Sequence, residues 1–205
     1  ALRGRSVGER ARADAASDVL LTLLLGWPAF DALGVAGLVD RNPDVAWQLT
    51  AVALQSVLVD WALRRVIKLW VDRERPFAPA CRDPALRPGL ECGRRGRGRS
   101  LYSAHASAAF NAAGLVCLAH AHLPLYGSAG ADGAACGLAL ATATTVGLLR
   151  VAADVHHLTD VLAGALVGLV TGLLLPWALH YGRDLGPERV RPTPVPLTVA
   201  GGATF

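Results

Sequence analysis

The stretch LTDVLAGALVGLVTGLLLPWALHY, residues 158–181, decides the fold. Beyond Asp160 it carries no formally charged side chain, and about 20 apolar residues in a helix match the hydrocarbon thickness of a bilayer. Gly164, Gly168 and Gly172 repeat within it at GxxxG spacing, which lets a neighbouring helix approach closely. Upstream, similar blocks occupy 17–39, 46–70, 104–123 and 133–150. The chain is 53% hydrophobic and 18% charged, with the apolar residues gathered into these blocks. The expected fold is therefore all-α: an integral membrane helical bundle of about five transmembrane helices in one domain over 1–205. Asp31 in the first block, and Asp60, Arg64 and Arg65 in the second, argue that these helices do not face lipid on all sides.

Residues 1–15 read as a polar lead-in with no signal-peptide pattern, 71–102 as a loop and 182–205 as a tail with no assigned chemistry. In RRVIKLWVDRERPFAP, Pro76 and Pro79 should end the second helix by about Glu74. The loop that follows is long for a compact domain, a length usual for functional loops. With five spans, the N-terminus, loop 71–102 and the turn at 150–158 fall on one membrane side, so the polar clusters converge on one face.

The net charge of +4 is matched by a local excess, since Asp72–Tyr102 holds eight arginines (73, 75, 82, 87, 94, 95, 97, 99) against four acids. Few aromatics interleave them, which argues against nucleic acid and for an anionic headgroup or phosphate. Cys81 and Cys92 bracket part of this loop and are a candidate disulfide requiring an oxidising compartment, whereas Cys117 and Cys136 lie in apolar blocks where free cysteine is common.

Three clusters carry candidate chemistry. Lys68 and Arg75 are about two helical turns apart and can reach one anion, or can simply be snorkelling anchors. His105 lies one turn into a helix opened by Ser103 and Ala104, whose backbone N–H groups could receive a phosphate oxygen; a lone structural histidine is the plainer reading. In RVAADVHHLTD, residues 150–160, His156 and Asp160 are four apart on one helix face, so the aspartate can fix the ring tautomer, while Arg150 offers a permanently charged fork. A metal held by His156, His157, Asp154 and Asp160 is disfavoured because adjacent helical residues diverge by about 100°. His120 and His122 read as interfacial polar residues at the opposite face.

Together, Lys68-x6-Arg75-Pro76, Tyr102-Ser103-Ala104-His105 and Arg150-x5-His156-x3-Asp160 resemble the signature of the phosphatidic acid phosphatase type 2 family, which shares its site with the vanadium haloperoxidases and bacterial class A acid phosphatases. The resemblance implies a helical bundle that removes phosphate through a phosphohistidine, without metal or other cofactor. Carried over, His156 is the nucleophile, Asp160 its orienting partner and His105 the general acid. Lys68, Arg75 and Arg150 hold the phosphoryl oxygens with backbone N–H groups near Ser103 and Ala104. Tyr102 and Ala104 stand where the family usually has Pro and Gly, and Leu149 where a serine is frequent. Familiar six-helix members also carry one more span before the first motif.

The expected function is a metal-independent membrane lipid phosphatase acting on a phosphomonoester or diphosphate headgroup of the phosphatidate, phosphatidylglycerophosphate or polyprenyl diphosphate class. Its expected partners are that lipid and the bilayer, not nucleic acid. Its expected place is the cell (inner) membrane, multi-pass, with an extracytoplasmic site. The alternatives are a vanadate-dependent haloperoxidase-like enzyme and a non-enzymatic anionic-lipid-binding membrane protein.

Overall fold

The computed structural model describes residues 6–83, 92–93 and 98–182. Arg87, Arg94, Arg95 and Arg97 of the loop, and all but the first residue of the tail, lie outside them. Among the described residues the fold is five helices and no strand: α1 (Val7–Val39), α2 (Pro43–Trp70), α3 (Ala104–His122), α4 (Ala129–Ala152) and α5 (Leu158–Tyr181). A short 3₁₀ turn at Ala78–Arg82 interrupts the connection between α2 and α3.

The helix starts follow local capping chemistry. Ser6 and Glu9 form a reciprocal capping box at α1, so this helix begins at Val7 and takes in most of the expected polar lead-in. Asn42 caps α2 ahead of Pro43, Ser103 caps α3 and Ser128 caps α4, each side chain accepting from a first-turn amide. Pro28 and Pro176 each lack a backbone donor, and the wider π-helical stretches Phe30–Val39, Val170–Leu174 and Trp177–Tyr181 lie beside them.

Among the described residues α1, α2, α4 and α5 are long and apolar enough to cross a membrane, and they present Leu38, Trp47, Leu58, Leu69 and Leu166 outward. The chain is a membrane protein. The third expected span, α3, is less apolar and is not in that set; it is the central helix, packed against all four others and buried along most of its length. A helix with no lipid face needs small side chains, and α3 is correspondingly rich in alanine.

The glycine stripe of α5 lies against α3. A Cβ at Gly164 would sit 2.6 Å from the Ser103 carbonyl, and one at Gly168 2.9 Å from the Asn111 amide. The Ser103 amide donates to the Asp160 carbonyl at 2.9 Å, so the close approach fixes the start of α3 against the start of α5.

Asp31 and Asp60 are buried inside the bundle. Asp60 accepts from Ser107 and lies 3.6 Å from Arg64. Asp31 accepts from the Tyr126 hydroxyl at 2.8 Å and lies 3.2 Å from His120 Nε2, with Asp132 2.6 Å from Nδ1 of the same ring. His120 is thus a buried link between two carboxylates and not the interfacial residue expected from its place near a helix end. Cys117 and Cys136, expected to be free, form a disulfide that ties α3 to α4, and a second joins Cys81 to Cys92.

Candidate active site

The candidate residues meet at the end of the bundle formed by the starts of α1, α3 and α5 and the ends of α2 and α4. His156 sits in the α4–α5 turn, 3% exposed, and its Nδ1 is 2.9 Å from the Ser100 carbonyl. A carbonyl can only accept, so Nδ1 carries the proton and Nε2 keeps its lone pair. Burial, reinforced by the positive charges of Arg75, Arg150 and Lys68 and partly countered by Asp160, pushes the His156 pKa down to about 4. The ring is therefore neutral at pH 7, the state a nitrogen nucleophile requires.

Asp160 does not bind His156 as the four-residue spacing suggested. Its Oδ2 lies 3.9 Å from Nδ1, beyond hydrogen-bond reach. The carboxylate is taken up elsewhere: Oδ1 accepts from Arg73 at 2.6 Å, and Oδ2 accepts from the Ser100 hydroxyl at 2.6 Å and the His157 amide at 2.9 Å. Through Ser100, which presents its hydroxyl to Asp160 and its carbonyl to His156, the two residues are coupled across one intervening residue.

The cations arrive differently from the helical-spacing expectation. Helix α2 stops at Trp70, about a turn before the expected Glu74, because residue 71 turns extended and the Arg73 carbonyl accepts from the Ser100 amide at 2.9 Å. Lys68 is on the last turn of α2 whereas Arg75 is on the following loop, so loop geometry and not two helical turns brings them together. Lys68 also lies within electrostatic reach of Arg64, Arg99 and Asp160. A cleft of about 350 Å³ opens here, lined by Arg64, Arg65, Lys68, Arg99, Trp61 and Leu69.

Arg150, in the last turn of α4, is 7% exposed and uses Nη1 to reach Asp14 at 2.5 Å and Ser17 at 2.9 Å. Its Nε is buried with no acceptor among the described residues. His105, in the first turn of α3, has Nε2 2.7 Å from Asp18. The Ser103 amide is consumed by Asp160, which removes it as a phosphate donor; Ala104 and His105 hold the first-turn positions whose amides have no intrahelical acceptor. Tyr102, in the usual proline position, is buried beside Asp60 and Ser107, and burial raises its phenol to about 12.

Of the residues weighed as metal ligands, His157 and Asp154 are engaged away from His156 and Asp160. His157 Nε2 lies 3.3 Å from the Glu74 carbonyl, and Asp154 pairs with Arg10 at 3.1 Å. Among the described residues no group of three His, Cys, Asp or Glu side chains is arranged to hold an ion.

A family model described as the PAP2 superfamily matches residues 44–184. The chain belongs to the PAP2 superfamily. Membership implies phosphatase-type activity, and the match spans all three motifs from Lys68 to Asp160. No curated protein and no solved structure matches the chain. Sequence reasoning missed Arg73, Ser100 and the α1 residues Asp14, Ser17 and Asp18 of this PAP2 site. The Ser6–Glu9 capping signature was the available signal that α1 starts early enough to carry the last three there.

Proposed function

We propose that the chain is a membrane lipid phosphatase that hydrolyses a phosphomonoester or diphosphate headgroup through a phosphohistidine, without a metal. The observation that carries this reading is the buried, neutral His156, with Nδ1–H on the Ser100 carbonyl and the charges of Lys68, Arg75 and Arg150 around it. Nε2 attacks phosphorus, the P–O bond to the lipid breaks, and His105 protonates the departing oxygen. Water then attacks phosphorus, giving a proton to His105, as the Nε2–P bond breaks and its electron pair returns to His156, releasing phosphate. Lys68, Arg75 and Arg150 stabilise charge on the equatorial oxygens, which is most of what phosphoryl transfer asks of a protein. The buried Arg150 Nε suits a phosphoryl oxygen as acceptor, as do the first-turn amides of α3 at Ala104 and His105.

The basic cleft beside Lys68, with Trp61 and Leu69 in its wall, suits an anionic headgroup whose chain lies along the outer face of α2. We place the site on the extracytoplasmic face of the cell membrane, supported by the Cys81–Cys92 disulfide in the loop of that face, which needs an oxidising compartment. Phosphate release from phosphatidate, phosphatidylglycerophosphate and a polyprenyl diphosphate, with chelator present throughout, tests the reading. Turnover of at least one lipid is expected to survive chelation and vanish in His156→Ala; equal turnover by that variant refutes the nucleophile.

A further inference from the structure

We infer that α1 supplies a fourth part of the active site, in which Asp18 is a positioning residue for the general acid His105, and Asp14 with Ser17 positions Arg150. This rests on the phosphatase reading above and adds to it residues ahead of the family match, which begins at residue 44.

The spacing and the contacts agree. Arg10, Asp14, Ser17 and Asp18 fall on one face of α1, at the recurrence of a single helical stripe. Each meets a residue beside the reacting centre: Arg10 pairs with Asp154 at 3.1 Å, Asp14 and Ser17 take Arg150 Nη1 at 2.5 and 2.9 Å, and Asp18 takes His105 Nε2 at 2.7 Å. Asp154 directly precedes the Val155–His156 segment and has a left-handed backbone (φ 66°), so Arg10 holds the turn that carries the nucleophile. Asp18 is also 3.7 Å from Arg150, which makes one charge network of Asp14, Asp18, Arg150 and His105. A helix facing lipid gains nothing from such a stripe; one docked on a cationic site supplies the anions that hold it in register.

The chemistry assigns the two ring nitrogens of His105. With Nε2–H donated to the Asp18 carboxylate, Nδ1–H is the proton delivered as the P–O bond breaks, and the bonding electron pair leaves with the lipid oxygen. The ring ends neutral with Nε2–H still on Asp18, oriented to take a proton from water through Nδ1 in the second step. Asp18 touches neither phosphorus nor the leaving oxygen in this scheme.

A general acid matters most when the departing oxygen is strongly basic, which gives a test that loss of folding cannot mimic. Dodecyl phosphate releases a poor alkoxide leaving group, and p-nitrophenyl phosphate a good one. Purified parent, Asp18→Asn, Asp18→Glu, Asp14→Asn and His105→Ala proteins are assayed in detergent on both. His105→Ala should lose far more on dodecyl phosphate than on p-nitrophenyl phosphate. Asp18→Asn should show the same selective loss in kcat, about 10- to 100-fold, below the full contribution of a general acid. Asp18→Glu should recover most of it, whereas Asp14→Asn should raise KM on both probes alike. Equal losses on the two probes in Asp18→Asn, or a lower KM with kcat unchanged, overturn the inference while leaving the phosphatase reading intact. Undiminished turnover in His156→Ala removes that reading and this inference with it.

Discussion

Replacing Asp160 with asparagine separates its two roles, helix cap and electrostatic partner of the nucleophile. The best asparagine rotamer keeps an oxygen on the Ser100 hydroxyl and the His157 amide, at the positions now 2.6 and 2.9 Å away, and turns its NH₂ toward Arg73. Two bonds to a charged acceptor become bonds to a neutral one, each losing about 1 kcal/mol. The Arg73 bond is lost, but that side chain is 38% exposed and turns to water, so the loss there is about 1 kcal/mol or less. Relief of carboxylate desolvation offsets part of this, leaving a destabilisation of about 2 kcal/mol. The rate should suffer more. As Nε2 attacks, positive charge builds on the imidazole, whose Nδ1 lies 3.9 Å from Oδ2. At an effective dielectric of about 20 a unit charge at that distance contributes about 4 kcal/mol, an upper figure because charge transfer is partial in the transition state. Taking half to all of it gives a fall in kcat of roughly 30- to 1,000-fold. KM should change little, since Asp160 is not among the phosphate-holding groups. Phosphate release with a parallel thermal melt separates the two effects. A melt shifted as expected with less than about a fivefold loss in kcat would show that Asp160 is a cap alone and that the Ser100 carbonyl suffices for His156.

Three further outcomes follow from single contacts. A side chain at Gly168 has no space against Asn111, so Gly168→Leu should cost well over the roughly 1–3 kcal/mol of ordinary overpacking and lower both the melting temperature and activity; an unchanged melt would contradict the helix register. His156 should titrate near pH 4, assigned by the resonance missing from His156→Asn in ¹³C-histidine spectra, and a midpoint near the ordinary value of about 6.5 would contradict its burial. Because this folded-state pKa is depressed for a base, the unfolded chain takes up the proton first, and the His156 contribution to stability falls as pH drops from about 6.5 toward 4. Reducing the Cys81–Cys92 bond, whose partners are 11 apart in sequence, should remove up to about 3 kcal/mol of chain restriction, and thiol labelling of intact cells only after reduction would place that loop outside. Labelling before reduction would count against both the bond and the sidedness.

The spans were legible because lipid exposure forces long apolar runs, and α5 showed both its length and the glycine stripe that receives α3. The two boundary errors have different physical origins. Hydropathy falls where a helix leaves lipid for a polar site, so α1 looked as though it began near residue 17, although its first turns are capped and helical from Val7. At α2 the opposite happened: Val71 to Glu74 still reads as helical, but the chain turns extended at Val71 and tertiary contacts from Arg73 to Ser100 and Asp160 hold the segment out of the helix. The motif residues were visible through their spacing, yet their partners were not. Arg150 and Asp14 are 136 positions apart, and the Ser100 carbonyl presents no side-chain signal at all.

The distribution of charge explains why a site of this kind needs so many anions before any substrate is present. Lys68, Arg75 and Arg150 all act on the buried His156, and at the dielectric of a protein interior their mutual repulsion would spread the end of α2, the loop after it and the end of α4 that carry them. The loop and the end of α4 are instead each held by a carboxylate from another helix: Asp160 of α5 takes Arg73 of the α2–α3 loop, and Asp14 of α1 takes Arg150 of α4. These carboxylates are fixed on helix first turns or on helix faces, so they cannot collapse onto the centre and neutralise it. Arg150 spends Nη1 on α1 and keeps its buried Nε unpaired, so the same guanidinium can be anchored and still receive a phosphoryl oxygen. A lysine at that position has one charge point and cannot do both. Arg150→Lys should therefore lose phosphate affinity even though it preserves the charge, seen as a KM rise of about tenfold or more from the loss of one charge-assisted hydrogen bond. A KM within about twofold of the parent would mean that net charge alone, and not the fork held by α1, retains the phosphate.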